Sequence, residues 1–269
     1  MIPILLTASV DTRGMKGAKF AAEEREKMYV DTLNYYIADL GRRKQERFTL
    51  VFAENSGWDK ESVTGKLRTA DNVRVEYEAL DPQLFDQTKG KSYNEMLILD
   101  LVSAKNRSIQ EAGGFFKLTG RFPILNLYSL MREVDSRFGG GTLRLYQDCK
   151  DHRVYEWLHL PINGHAAECR YYAVGMAFYD EFVRGRYKEL NDFEGRSVEW
   201  FFLRLIREHK HEAGVRGRFR TQAHLTGTGG HSLGKGAAFF YSTDNDSAVM
   251  RFKRGVRQLL RWVMPWWWV

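Results

Sequence analysis

Cysteine is scarce in this chain. Only Cys149 and Cys169 occur among 269 residues, and their spacing offers neither a disulfide framework nor a zinc site, so a reducing compartment is expected. Long apolar runs are missing as well. Nowhere do about 18 apolar residues follow one another, which excludes a helix that spans a bilayer. The opening MIPILLTASVD turns polar too soon for a secretory signal. His152, His159, His165, His209, His211, His224 and His231 show no zinc spacing. There is no Gly-x-Ser-x-Gly elbow, no Gly-x-Gly-x-x-Gly after the first apolar run, and no internal repeat.

What is present is a globular composition. An apolar fraction of 43% with 14% aromatics supports a sizeable core, and a charged fraction of 28% excludes bulk disorder. The net charge of +7 and a pI near 9.3 fit an anionic partner: a nucleotide, a nucleic acid or an anionic membrane.

The first third alternates strand and helix signals. Residues 2–10 form an uncharged apolar run that reads as a buried strand, followed by a loop at Asp11, Thr12, Arg13 and Gly14. Residues 23–40 read as a helix, with Tyr29, Leu33, Tyr36, Ile37 and Leu40 recurring at three and four. Arg25 lies one turn before Tyr29, as a ligand contact or as a solvated helix charge. Residues 48–53 and 73–79 read as strands and residues 59–67 as a short helix. Together they predict an α/β fold with a mostly parallel sheet flanked by helices. In such sheets the ligand crevice lies beyond the carboxyl ends of the strands. Lys89, Gly90 and Lys91 open a helix predicted over 92–103, an anion site if the dipole and free N–H groups are used. Residues 115–119 are the fourth strand. Farther on, residues 142–146 are expected as a strand, 171–184 and 197–208 as helices, and 218–241 as a Gly-rich stretch with one or two strands.

The end of the chain differs in character. Arg251, Lys253, Arg254, Arg257 and Arg261 are five cations with no acid after Asp246. Val249, Phe252, Val256, Leu259, Leu260 and Val263 recur at helical spacing, and Trp262, Trp266, Trp267 and Trp268 crowd the end. A basic amphipathic helix ending in tryptophans reads as an interfacial membrane anchor, with Arg254, Arg257 and Arg261 on the anionic surface. The alternative is a terminal helix docked on the domain or on a partner. The expected division is therefore a domain over 1–246 and a membrane-associating tail over 247–269.

The sharpest local signal is FKLTGR, residues 116–121. A lysine inside an otherwise apolar strand is costly unless it is paired or functional. Gly120 lets the chain bend, so Lys117 and Arg121 are expected to point into one cleft and offer phosphate a point charge and a bidentate fork. The loop GGHSLGKG, Gly229 to Gly236, nearly matches a phosphate loop, but Gly236 replaces the required hydroxyl and no helix pattern follows.

In order along the chain, LLTASVD, the helix with Arg25 and Tyr29, FAENSGWD, KGKSYNE and FFKLTGRF resemble bacterial glycosyltransferases of surface-polysaccharide synthesis (lipopolysaccharide, O-antigen or capsule). These are variants of the GT-A fold, a Rossmann-like nucleotide-sugar-binding domain. The likeness covers the first half well and the second loosely. It implies a nucleotide-sugar donor as substrate, held by Thr7, Ser9, Arg25, Glu54, Asn55, Lys89, Lys91, Lys117, Thr119 and Arg121. It also implies a lipid-linked glycan acceptor and a cytoplasmic enzyme, peripheral on the inner face of the cytoplasmic membrane.

This sequence departs from the family at one point. Many GT-A enzymes carry Asp-x-Asp after the fourth strand to hold a divalent metal; here Lys-Leu-Thr-Gly-Arg stands there. Asp100 does not restore the motif, and Asp244 and Asp246 lie close to the tail. No cofactor and no metal are therefore expected, with Lys117 and Arg121 stabilising the leaving diphosphate. An inverting transfer needs a general base. Glu199, opening its helix after Gly195 and Arg196, is the first candidate; Asp180, Glu181 and Asp148 follow. Two rival readings remain: a noncatalytic membrane-bound scaffold with a degenerate transferase domain, and a nucleic-acid-binding protein, against which the concentration of cations in the tail argues.

Overall fold

The computed structural model describes residues 1–16, 18–138, 141–159, 164–228, 240–241 and 248–264. The Gly229–Gly236 loop, Asp244, Asp246, and Trp266, Trp267 and Trp268 lie outside the described residues.

The chain runs β1 (Ile4–Ala8), α1 (Ala22–Gly41), β2 (Phe48–Glu54), α2 (Lys60–Thr64), β3 (Val73–Ala79), α3 (Lys91–Lys105), α4 (Arg107–Ala112), β4 (Gly114–Thr119), α5 (Leu127–Phe138), β5 (Leu145–Asp151), α6 (Val154–Trp157), β6 (His165–Gly175), α7 (Met176–Phe182), α8 (Val198–His209), β7 (Val215–Arg216), β8 (Gly227–Thr228), β9 (Phe240–Tyr241) and α9 (Ala248–Val263). The main sheet has the order β3-β2-β1-β4-β6-β5-β7. Its pairs are parallel except those of β6, which is antiparallel to both β4 and β5. The expected mostly parallel α/β sheet flanked by helices is what the chain forms.

Side chains alternate across each strand, so the sheet carries two apolar layers. Ile4 and Leu6 pack with Leu33, Tyr36 and Ile37 of α1 on one face. Leu5 packs with Met96 and Leu99 of α3 and Phe202 of α8 on the other. Burial on both faces is why β1, β2 and β4 read as continuous apolar runs. Each fully buried Leu, Ile or Phe in these layers contributes about 1.5–3 kcal/mol.

Local signals set several ends. Asp59 caps α2 by accepting from Ser62 N at 2.8 Å, and Ser197 caps α8 by accepting from Trp200 N at 3.4 Å. Two expectations fail in the second half. Residues 171–175 complete β6, and the helix predicted over 171–184 begins only at Met176. Tyr171, Tyr172, Ala173 and Val174 are buried between two neighbouring strands, a pairing that a short apolar run does not reveal by itself. The strand expected over 142–146 lies instead at Leu145–Asp151; its buried polar residues, Gln147 and Asp148, hide it from a hydrophobic reading.

Pairing between β5 and β6 also breaks once. Gln147 faces Tyr172, and the next pair is Cys149 with Ala167, so Glu168 to Tyr171 stand opposite the single residue Asp148. Such a bulge re-aims side chains.

Candidate active site

β1 pairs with β2 on one side and β4 on the other, so the connections diverge there and leave a crevice beyond the carboxyl ends of β1 and β4. A cavity of about 400 Å³ occupies that place. Gly120 closes its floor. The Gly120 N–H donates to Thr7 O at 3.0 Å, and a Cβ at this position would meet that same oxygen at 2.9 Å. Glycine is required here by close approach of two backbones.

Beneath the floor lies a polar centre. Lys117 is 1% exposed. Its Nζ donates to Cys169 O at 2.6 Å and to Thr119 Oγ1 at 3.1 Å, and it pairs with Glu95 Oε1 at 2.6 Å. Glu95 Oε1 also accepts from Thr7 Oγ1 at 2.9 Å and from Thr119 Oγ1 at 3.4 Å. The expectation that Lys117 and Arg121 both point into the cleft is corrected. Arg121 lines the cavity, but Lys117 is turned under it and spends its donors on Glu95, Thr119 and the β6 backbone. The strand alternation that sends Phe116 and Leu118 to one layer sends Lys117 to the other face, where α3 supplies its counterion.

The walls bring together residues from α1, α3, α8 and β6. Arg25 of α1 donates from Nε to Ser9 O at 2.7 Å and from a terminal nitrogen to the Tyr29 hydroxyl at 3.2 Å. Lys91 and Glu199, at the first turns of α3 and α8, pair at 2.9 Å. Their helices are locked at this point, because Ser92 Oγ accepts from Val198 N at 3.1 Å and Asp192 Oδ2 accepts from Ser92 N at 2.9 Å. The β6 bulge supplies Glu168 and Arg170, joined as a forked ion pair in which Arg170 Nε donates to Glu168 Oε1 at 2.7 Å.

Four cations line the cavity, Arg25, Lys91, Arg121 and Arg170, against three carboxylates, Glu95, Glu168 and Glu199. Lys117 behind the floor adds a fifth positive charge. Burial raises the Glu199 carboxyl, but Lys91, the helix N–H and Ser197 outweigh it and hold the group below the usual glutamate range. Burial lowers Lys91, yet Glu199 above all drives it above the usual lysine range. Glu168 is likewise raised by burial and then held below its ordinary value by Arg170, with Lys117 contributing. The cavity is thus a set of ionised groups whose cations an anion can recruit.

The other expected donor contacts divide. Thr7, Ser9 and Thr119 line the cavity. Glu54 does not; it is 1% exposed, and its carboxylate accepts from the N–H groups of Val10, Ser56 and Trp58 at 2.9–3.1 Å. It fastens the loops after β1 and β2. Asn55 is buried and accepts from Ser9 Oγ, behind the wall. Lys89 ends a 3-10 turn at Gln87–Lys89, outside the lining. Glu95, Glu168 and Arg170 were not singled out from the sequence. For Glu95 a signal existed, its i,i+4 spacing from Lys91 at a helix start. Glu168 and Arg170 reach the cavity only through the bulge.

A divalent cation does not fit the end of β4, which carries Lys117, Thr119 and Arg121. Among the described residues no three His, Cys, Asp or Glu side chains gather as a cation site. Cys149 and Cys169 are free and buried. The runner-up acids lie elsewhere: Asp180 pairs with Arg184 at 2.6 Å, Glu181 with Arg144 at 3.8 Å, and Asp148 with Arg261 at 2.8 Å.

That last pair changes the picture of the tail. Arg261 was expected on a membrane. Instead it packs against the domain with 12% of its side chain exposed, donating to both Asp148 oxygens at 2.8 and 2.9 Å and to Phe219 O at 2.7 Å. One turn earlier, Gln258 donates to Arg220 O at 2.8 Å and accepts from Gln222 N at 2.9 Å. So α9 docks through its polar side. Its apolar side faces outward: Phe252 is 72% exposed, Leu259 59%, Trp262 69% and Val263 61%. Arg257 is exposed and Arg254 half-buried. Among the described residues no helix is long and apolar enough to cross a membrane.

No protein-family profile and no curated protein matches this sequence. Solved structures align with parts of this chain. Mouse xyloside xylosyltransferase 1, in its apo form, aligns at a TM-score of 0.45 and 13% identity over 78% of this chain and 82% of that one. The WbbM bifunctional glycosyltransferase aligns at 0.39 and 9% identity over 77% of this chain and 37% of that one. HddC from Yersinia pseudotuberculosis aligns at 0.36 and 11% identity over 66% and 78%. Nothing about chemistry follows from likeness at this level.

Proposed function

We propose that the protein is a glycosyltransferase that moves a sugar from a nucleotide-sugar donor to a lipid-linked glycan acceptor in bacterial surface-polysaccharide synthesis, with inversion and without a metal. The observation that carries the reading is the cavity at the divergence of β1 and β4, walled by Arg25, Lys91, Arg121 and Arg170. A nucleoside diphosphate needs cations where its charge grows as the glycosidic bond breaks, and preorganised donors in a partly dry site supply them. Arg121 offers the fork and Lys91 the mobile point charge.

The Lys91–Glu199 pair then has a mechanistic consequence. While Lys91 is bound to Glu199, the carboxylate is a weak base. A diphosphate that recruits Lys91 removes that counterion, raises the basicity of Glu199, and readies it to take the acceptor hydroxyl proton. Lys117 acts through Glu95 and keeps the floor in place. Outside the cavity, the outward apolar side of α9 with Arg251, Arg254 and Arg257 suits the inner, anionic face of the cytoplasmic membrane, and α9 falls within the tail proposed over 247–269.

Thermal shift of the full chain with nucleoside diphosphates, with and without EDTA, tests the reading. Stabilisation that survives EDTA, and that falls at least tenfold in apparent affinity in Arg121→Ala, is expected. If no nucleoside diphosphate shifts the melt, the transferase reading fails; if EDTA abolishes the shift, the metal-free form of it fails.

A further inference from the structure

Helix α3 presents one stripe to the cavity. Lys91, Asn94, Glu95 and Ile98 all line it, at the three-and-four spacing that keeps residues on one side of a helix. The stripe leads inward: the side chain of Lys91 is 48% exposed, and that of Glu95, one turn on, 20%. With Lys91 on the diphosphate, Glu95 faces the group that the diphosphate carries.

The two oxygens of Glu95 differ. Oε1 is saturated by β1 and β4, through Thr7 Oγ1 at 2.9 Å, Thr119 Oγ1 at 3.4 Å and Lys117 Nζ at 2.6 Å. Oε2 has neither a hydrogen bond nor an ion pair among the described residues, and it is not enclosed. It is the open acceptor of the stripe. Asn94 spends its Nδ2 on Asp86 O at 2.8 Å and Gly90 O at 2.7 Å, and Ile98 is apolar. The clamp on Oε1 also fixes where Oε2 points, because both belong to one rigid carboxylate plane. A carboxylate oxygen accepts and does not donate. It repels a phosphate oxygen and suits a hydroxyl.

We propose that Glu95 Oε2 accepts a hydrogen bond from one hydroxyl of the transferred sugar and so determines which donors the cavity takes. A sugar that presents a hydroxyl there is held; one in which that hydroxyl is replaced by a group that cannot donate is not, because an open carboxylate oxygen then loses water without gaining a partner. The proposal rests on the transferase reading and adds the residue that reads the sugar. A nucleoside diphosphate without its sugar gains nothing from Glu95.

Calorimetric titration of the full chain tests it, with UDP, GDP and dTDP and with their glucose, galactose and mannose conjugates; the nucleotide that binds and its tightest conjugate are carried forward. In wild type, replacing the hydroxyls of that conjugate one at a time by fluorine, which cannot donate, is expected to cost about tenfold or more in affinity at one position. Lys117→Met with Glu95→Met replaces the whole ion pair by two apolar stems of similar length, a change that a buried site tolerates. In this double variant the conjugate should lose about tenfold or more, while the nucleoside diphosphate loses less than about threefold. Fluorine at the sensitive position should then cost nothing further. Lys117→Met alone leaves Glu95 in place and should keep the sensitivity to fluorine. If wild type is sensitive at no position, if the double variant is as sensitive as wild type, or if the nucleoside diphosphate binds and no conjugate does, the assignment to Glu95 is overturned while the cation-lined diphosphate site stands. A protein that binds none of the nucleoside diphosphates overturns the transferase reading and this inference with it.

Discussion

Replacing Lys117 by methionine isolates the polar centre under the cavity. Methionine keeps the length of the apolar stem and removes the ammonium, so packing in the layer with Cys169 and Tyr172 changes little. What changes is the fate of Glu95. Its Oε1 loses the 2.6 Å ion pair and keeps only the hydroxyls of Thr7 and Thr119. Breaking a buried pair from one side costs about 3–5 kcal/mol, because the remaining charge is uncompensated. Glu95 retains 20% side-chain exposure, so water offsets part of the loss, and about 3 kcal/mol is expected. With a urea slope of about 3 kcal/mol/M, the midpoint should fall by about 1 M at unchanged slope. Adding Glu95→Gln removes the stranded charge and should recover about 1–2 kcal/mol, a coupling that independent sites do not show. A loss under about 1 kcal/mol in Lys117→Met, or a double variant no better than the sum of the singles, refutes the account of Lys117 as the buried counterion of Glu95.

Three further outcomes follow from the same geometry. Glu199→Gln should keep nucleoside diphosphate binding while transfer falls at least about a hundredfold; unchanged turnover with any donor and acceptor pair would remove Glu199 as the base. Arg261→Met should cost about 3 kcal/mol in thermal or urea unfolding, since it strands Asp148 with only Tyr171 and Phe219 N as donors; a loss below about 1 kcal/mol would mean that α9 is not fastened there. Arg207, by its hydrogen bonds, holds Asp151 below the ordinary aspartate range. A lowered carboxylate stabilises the fold above its unfolded pKa and loses that contribution as pH falls through the folded one. The advantage of wild type over Arg207→Gln, about 1 kcal/mol for so exposed a pair, should therefore be full above about pH 4 and disappear in stronger acid; an advantage that persists at low pH contradicts the assignment.

The positions of β1, β2 and β4 were legible because each of them is buried on both faces. An apolar run such as residues 4–8 is too short to cross a bilayer and must be buried in the domain, and the periodic face of α1 names its own core side. Thr7, Ser9, Arg25, Lys91, Thr119 and Arg121 were expected at the donor site through the resemblance, and Glu199 as a base opening a later helix; all seven line the cavity. Glu54 was misjudged because a polar residue at a strand end looks the same in sequence whether it faces a ligand or caps two loops.

The sequence by itself determined the α/β opening, the strand-end cations and the amphipathic character of the last helix, all properties of residues within one or two turns of each other. Only tertiary structure decided where the charges go. Lys117 turns under the floor because Glu95 comes from α3, Glu168 and Arg170 enter the wall because β6 bulges over Asp148, and α9 turns its apolar side outward because Arg261 finds Asp148, 113 residues away. The reason is common to the three cases. A charge taken from water must meet its counterion, and in each the partner or the backbone that presents it lies on another element, which no local pattern encodes.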